Sequence, residues 1–397
     1  MDYFDRLGAE LEDAWSERGR EEERFPDAAL EVLTRMPPRE ALDRELLLDH
    51  LLDLRRPTPM QLAPLGAFGQ PGFTVHYGGG FVVEVYHWLE SLSAIHNHPF
   101  CGVFTILHGH SVHARYDVGP AMALGGRAHR AEVSLSGLDL VRPGQVVPFS
   151  LRAHPLVHAL VHVPRSSISM VVRTARTEGY FRYLPPAIAL PMEGAVEPRD
   201  RQLALLESLA AAGDPGLPQR LQAMLEHADF ELAMRLLSAH WPRGEPSQRE
   251  ALLATVRPRF GDQTDAMQVV LERSLRLQEA TSIREALDDP ALRLVVTALG
   301  YAERRDQVLG LLAAAELDPL ATLHRFVDEA GLFDEGEEAS AVISHVLVEG
   351  GGYEDALDRL RTVYEAGAIE GHEAEVEQYC RESIFAVLGE AKRSADA

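Results

Sequence analysis

I-H-N-H-P-F-C-G-V-F-T-I-L-H-G-H, from Ile95 to His110, places two imidazoles two residues apart just before an apolar run. On a strand, positions i and i+2 face the same side, so His96 and His98 converge on one point. That convergence suits a metal ion. Val103 to Leu107 reads as a buried strand, and Gly109 stands where the backbone must turn tightly. Further along, P-G-Q-V-V-P-F-S-L-R-A-H-P-L-V-H-A-L-V-H runs from Pro143 to His162 and offers a third imidazole. His154, His158 and His162 are spaced by four, which keeps all three on one face of a strand, so spacing alone does not choose among them. Neutral imidazoles bind Fe, Zn, Ni or Cu(II), and three of them leave coordination positions open.

The flanking sequence sets this stretch in a β domain. From Pro57, Gly and Pro become frequent and β-branched and aromatic residues gather into short runs. The runs predict strands over Thr74–Tyr77, Phe81–Trp88, Gly102–Leu107, Ser111–Asp117, His129–Ser134, Gln145–Phe149, Val157–Val163 and Ser167–Thr174. Such a set predicts a β-sandwich or jelly-roll barrel. Before it, Leu7, Leu11 and Trp15, then Leu42, Leu46, Leu47 and Leu51, repeat at helical spacing on either side of Pro37-Pro38. After Tyr183-Leu184-Pro185-Pro186, helical periodicity returns with Leu203, Leu206 and Leu209, then Leu221 and Leu225, then Leu232, Met234 and Leu237. The chain therefore divides into a helical segment over 1–56 packing on the barrel, a β-barrel over 57–190, and an α-helical bundle or short solenoid over 191–397. Residues 390–397 read as a frayed end, and the acidic run 334–338 as a solvated face.

Composition narrows the function classes. With 61 acidic against 38 basic side chains and a formal charge of −23, the chain lacks the basic clusters that nucleic acid or an anionic membrane requires. Cys101 and Cys380 are too few and too far apart for a disulfide framework, which points to a reducing compartment. The start has no basic region followed by an apolar one, and no run approaches the ~18 apolar residues of a membrane span. A cytoplasmic protein is expected. Of 17 histidines, eleven fall between His76 and His162, more than a β domain needs for its own stability.

These residues carry a resemblance to the cupin superfamily, and within it to thiol dioxygenases of the cysteine dioxygenase type. His96 and His98 match the superfamily's H-x-H, Gly109 its turn glycine, and Gly144 and Pro148 its second motif. The position where cupins usually carry a Glu ligand falls on Gly102, which leaves the three-histidine pattern of thiol dioxygenases. Val83 to Trp88, followed by Ser93-Ala94-Ile95-His96, resembles the family's approach to its first ligands. H-A-L-V-H-V-P-R-S-S-I-S-M-V-V from His158 resembles the segment holding its third. The resemblance covers roughly residues 70 to 175 and implies His96, His98 and His158 as ligands of Fe(II), with Zn, Ni or Cu as other occupants. It puts His162 where the family has Asn, as a residue that orients ligands or handles protons.

Two departures bear on the substrate. The region that carries the family's carboxylate-gripping Arg, Gly72 to Gly80, has no Arg or Lys, and the nearest counterpart of its Tyr is Tyr180. Cys101 lies one place from the family's crosslinking Cys. A substrate other than free cysteine is then expected, contacted by His76, Tyr77 or Tyr86 or by none of them. The resemblance implies an iron-dependent dioxygenase acting with O2 on a small or peptide-borne substrate. The competing readings are a non-catalytic cupin sensor whose C-terminal helices bind a partner or a second copy, and a redox-neutral metal enzyme.

Overall fold

The computed structural model describes residues 3–53, 55, 59–62, 69–90, 94–175, 179–192, 198–333, 337–364 and 369–389. Four N-terminal helices, α1 (Tyr3–Glu17), α2 (Phe25–Arg35), α3 (Pro38–Ala41) and α4 (Arg44–Leu52), precede the strands. The strands are β1 (Gly72–Gly78), β2 (Phe81–Trp88), β3 (His96–Asn97), β4 (Gly102–His108), β5 (Ser111–Val118), β6 (Met122–Gly125) and β7 (Ala128–Arg130). They continue as β8 (Val133–Val141), β9 (Val146–Phe149), β10 (Val157–His162), β11 (Ser167–Thr174), β12 (Phe181–Leu184) and β13 (Ile188–Pro191). Then come α5 (Pro198–Ala211), α6 (Leu217–His227), α7 (Phe230–His240), α8 (Pro246–Phe260), α9 (Gln263–Ala286) and α10 (Pro290–Tyr301). The chain closes with α11 (Arg305–Ala314), α12 (Pro319–Glu329), α13 (Glu338–Glu349), α14 (Tyr353–Val363) and α15 (Glu373–Glu382).

The strands form a five-stranded sheet, β1-β2-β11-β4-β9, and an eight-stranded sheet, β6-β7-β13-β12-β3-β10-β5-β8. Within them early strands pair antiparallel with late ones: β2-β11-β4-β9 on one side, β3-β10-β5-β8 on the other. This first-with-last pairing is that of a double-sheet jelly roll.

Period-two alternation assigns each face. On the five-stranded sheet Phe81, Val83, Val85, Val103, Leu107, Ile168, Met170 and Val172 point outward into a core with Leu7, Leu11, Trp15, Phe25, Val32 and Leu47 of the N-terminal helices. On the eight-stranded sheet Val112, Ala114, Tyr116, Ala159, Val161 and Val163 point outward into a core with Leu294, Val295, Leu312, Phe326, Leu347 and Phe385. Each fully buried Leu, Val or Phe contributes about 1.5–3 kcal/mol. The intervening residues of β2, β4, β5, β10 and β11 are left to line the lumen between the sheets. A third core joins Leu184, Ile188 and Leu190 to Leu203, Leu225, Phe230, Met234, Val256 and Leu271.

Several expectations need correction. In the second N-terminal repeat only Leu47 is buried; Leu46 is 55% exposed, and Leu42 precedes α4. The strand expected over His129–Ser134 is two: β7 stops at Arg130 and β8 starts at Val133, because Ala131 and Val133 donate instead to the carbonyls of Ala187 and Pro186. Strands β3, β6, β12 and β13 are too short to show periodicity. Residues 390–397 and 334–336 lie outside the described residues.

The helical half is fastened to the barrel by buried charge. Arg284 of α9 and Arg293 of α10 are 1% and 0% exposed, and both meet the carboxylate of Glu90 just past β2, at 3.0 and 2.5 Å. Arg284 also donates to the His162 carbonyl at 3.3 Å, and Arg293 to the Val163 carbonyl at 2.6 Å. Arg293 further donates through Nη1 to the carbonyls of Arg284 and Leu287. Removing Glu90 leaves two buried guanidinium groups without their carboxylate, at a cost of about 3–5 kcal/mol, and removing either Arg takes a buried counter-ion from Glu90. Glu90→Gln and Arg293→Met should therefore each lower the denaturant midpoint sharply. A midpoint unchanged in both variants would show that the clamp does not hold the halves together.

Candidate metal centre

His96 lies on β3, which is wedged between β10 and β12 so that His96 pairs with His158 on one side and Arg182 on the other. His98 lies one residue past the end of β3, yet the i, i+2 relation persists and its ring returns toward His96, with centroids 4.9 Å apart. His158, the second residue of β10, closes the group. One ligand atom from each of His96, His98 and His158 lies within 4.8 Å of the others. His154, also open from spacing, is exposed in the turn before β10 and hydrogen-bonds through its backbone to Ser150.

The ring nitrogens are arranged as ligands need. His96 Nδ1 donates to the Ala94 carbonyl at 2.6 Å, which places the proton of the neutral ring on Nδ1 and the lone pair on Nε2. His158 Nδ1 lies 2.8 Å from Nε2 of His113 on β5; with Nδ1 donating there, the lone pair of His158 is on Nε2 as well. That Nε2 meets His98 Nε2 at 2.8 Å, a separation that two nitrogens tolerate only with a proton or a cation between them. Two nitrogens bound at right angles to one ion at ~2.1 Å would stand about 3 Å apart, so the donor set fits a divalent metal. His98 Nδ1 is buried with no hydrogen-bond partner.

Burial keeps these rings neutral. It holds the His96 imidazole down at about 4 and that of His113 at about 4. His98 falls well below its ordinary value through burial, with His96, His113 and Arg173 adding to the effect. His158 does the same through burial and then His98, His96 and His113. Unprotonated imidazoles at neutral pH are what a metal requires.

The walls are apolar. Phe149 stacks on His98 at 4.3 Å, and Phe104, from the opposite sheet, lies 5.4 Å from both His113 and His158. No carboxylate can join from the position where cupins carry one. A Cβ on Gly102 would stand 2.3 Å from the Val172 carbonyl oxygen and 2.9 Å from Arg173 Cα, both backbone atoms of the neighbouring strand. The polar side of the lumen is supplied by β2 and β11. Arg173 Nε pairs with Glu84 at 2.7 Å, Tyr86 donates to the same carboxylate at 2.9 Å, and the guanidinium lies 4.7 Å from the Phe100 ring centroid. Tyr180 places its ring 5.6 Å from His96.

The remaining candidates fall elsewhere. His162 shares the lumen face of β10 but hydrogen-bonds Ser111 Oγ at 2.8 Å and stacks on Trp88 at 4.7 Å. Burial, then Arg284, pulls it down to about 3. Among the described contacts it does not touch the three rings. His76 faces outward beneath α1 and stacks on Phe81, and Tyr77 is 47% exposed, so neither lines the lumen. Cys101 is fully buried, and burial pushes its thiol up to about 11, which removes thiolate chemistry at neutral pH. His113, Arg173 and Glu84 were not legible as site residues. The only signal for His113 was its alternation with the outward Val112 and Ala114; for Arg173 and Glu84 it was a charge on the inward phase of an otherwise apolar strand.

Two outcomes test this geometry. Gly102→Ala should destabilise the barrel and weaken metal binding together, and Gly102→Glu should supply no fourth ligand; a Gly102→Glu variant with tighter metal binding would contradict the steric reading. In the metal-free protein, His96, His113 and His162 have folded pKa values of about 4, 4 and 3, below the ~6.5 of an unfolded chain. The unfolded chain then binds more protons, so this stability is present above pH ~6.5 and is lost as pH falls toward 4 and 3. Denaturation at stepped pH should show the decline, and His162→Gln should flatten it.

No family model and no curated protein matches the sequence. Among solved structures the chain is similar to an uncharacterized conserved protein with a double-stranded β-helix domain from Klebsiella pneumoniae. The two share 18% identity over 30% of this chain and 87% of that one, with a TM-score of 0.20. It is also similar to a cupin-2 domain from Rhodospirillum rubrum, at 12% identity over 40% of this chain and 82% of that one, with a TM-score of 0.21. At these scores the likenesses carry no weight of their own, and the fold class rests on strand pairing. The chain thus holds a jelly-roll barrel in which His96, His98 and His158 form a three-histidine group that could hold a metal ion.

Proposed function

We propose that His96, His98 and His158 hold iron(II), and that the barrel is a dioxygenase of thiol-dioxygenase type acting with O2 on a small or peptide-borne thiol. The observation that carries this reading is a set of three neutral imidazoles, His96 and His158 buried and His98 half-buried, beside Gly102, which leaves no space for a carboxylate. Neutral ligands leave the ion's double charge uncompensated, which favours an anionic substrate such as a thiolate. Iron(II) held there supplies the redox chemistry that adds the oxygen atoms of O2 to sulfur.

The chain's own residues have separate tasks. The Ala94 carbonyl and His113 fix the rings of His96 and His158 through their Nδ1 atoms, and partners of this kind commonly contribute 10–100-fold in metal affinity. Phe104 and Phe149 exclude water from the histidines. Arg173 is the basic group that acts on His98, and it takes the part of substrate grip in place of the residue missing from Gly72–Gly80. Glu84 offsets part of its charge, and the Tyr86 hydroxyl is held on the same carboxylate, beside the path of a bound anion.

Protein loaded anaerobically with iron should take up close to one equivalent in the barrel and consume O2 with at least one of a broad panel of thiols and thiol-bearing peptides. His96→Ala/His98→Ala should lose both properties, and His113→Gln should bind iron 10–100-fold more weakly. Purification with zinc or nickel at this site, or iron-loaded protein that consumes no O2 with any of the panel, would overturn the dioxygenase reading.

A further inference from the structure

We propose that the helical half carries a second transition-metal site, formed by His324 and His345 and tuned by Asp328, independent of the barrel. His324 and Asp328 stand four residues apart on α12, hence on one face, and His345 faces them from α13. His345 Nε2 lies 3.0 Å from Asp328 Oδ1, and a neutral imidazole that donates there is left with a bare Nδ1. His324 directs its own Nδ1 at that atom from 2.8 Å, with the two rings within 24° of coplanar. A carboxylate behind one imidazole and a second imidazole in front is the outer-shell arrangement that fixes ring orientation and raises basicity in metal sites.

The helices beneath are already fixed. Leu323, Phe326 and Val327 of α12 and Ile343, Val346 and Leu347 of α13 are buried, so the core brings the two rings together, and a small turn of the half-buried rings lets both nitrogens face one ion. The side chain of His345 is 32% exposed, which leaves an ion accessible to water for its remaining positions. Two imidazoles with water suit Zn(II), Ni(II) or Cu(II) rather than the oxygen-seeking Mg(II) or Ca(II). A bound ion would join α12 to α13 and stabilise the helical half in proportion to its occupancy.

Calorimetric titration of full-length, metal-stripped protein with Zn(II) tests this directly. The His96→Ala/His98→Ala protein should still bind one equivalent and gain a higher thermal midpoint. Adding His345→Gln or His324→Gln should abolish both effects, and adding Asp328→Asn should weaken binding 10–100-fold. Circular dichroism without metal verifies the fold of each variant, and either histidine variant suffices should the other fail to fold. No Zn(II) binding by the His96→Ala/His98→Ala protein, or binding that survives both histidine substitutions, overturns the proposal. A wild-type protein whose single equivalent depends on His324 would support the helical site while removing the barrel reading, so the two fail separately.

Discussion

A strand cannot turn one side chain to one face without turning its neighbours to the other, and on β10 this constraint settles most of the molecule. Ala159 and Val161 must face the C-terminal helices to complete their core, so His158 and His162 must face the lumen. A slip of one residue would place imidazoles against Leu294 and Phe326 and aliphatic groups in the lumen beside His96 and His98. Hydrophobic burial on the outside thus fixes the register that brings the ligands together inside.

The lumen then works through what it withholds. Water is excluded by Phe104 and Phe149, so the imidazoles stay neutral far below their ordinary range. A carboxylate is withheld by the close approach of β11 to Gly102. The ionised groups that do enter, Arg173 and Glu84, come as a pair from adjacent strands, since either alone would be too costly to bury. The result is a lumen lined by three convergent imidazoles on one side and by the Arg173–Glu84 pair on the other.

The C-terminal helices are structurally continuous with this centre. Arg284 and Arg293 grip the carbonyls of His162 and Val163, at the end of the strand that carries His158, and both close on Glu90 at the end of β2. The helices also complete the outer core of the ligand-bearing sheet. A barrel cut away from them would lose both its covering layer and the two buried counter-ions of Glu90, which gives the helical half a part in holding β10 whatever partners it has.

The sequence by itself determined the outline: helices, then a Gly-punctuated β region, then helices, with His96 and His98 on a common face and Gly109 at a turn of φ +86°. These were legible because they rest on local periodicity and on spacing within one segment. It could not choose among His154, His158 and His162, because four-residue spacing puts all three in phase. Only the tertiary structure, by exposing the first in a turn and stacking the last on Trp88, distinguishes their surroundings. His113 behind His158, Arg173 across the lumen, and the crowding at Gly102 were equally invisible. Each depends on which strands lie side by side, and strand pairing between distant segments leaves no periodic trace in either one.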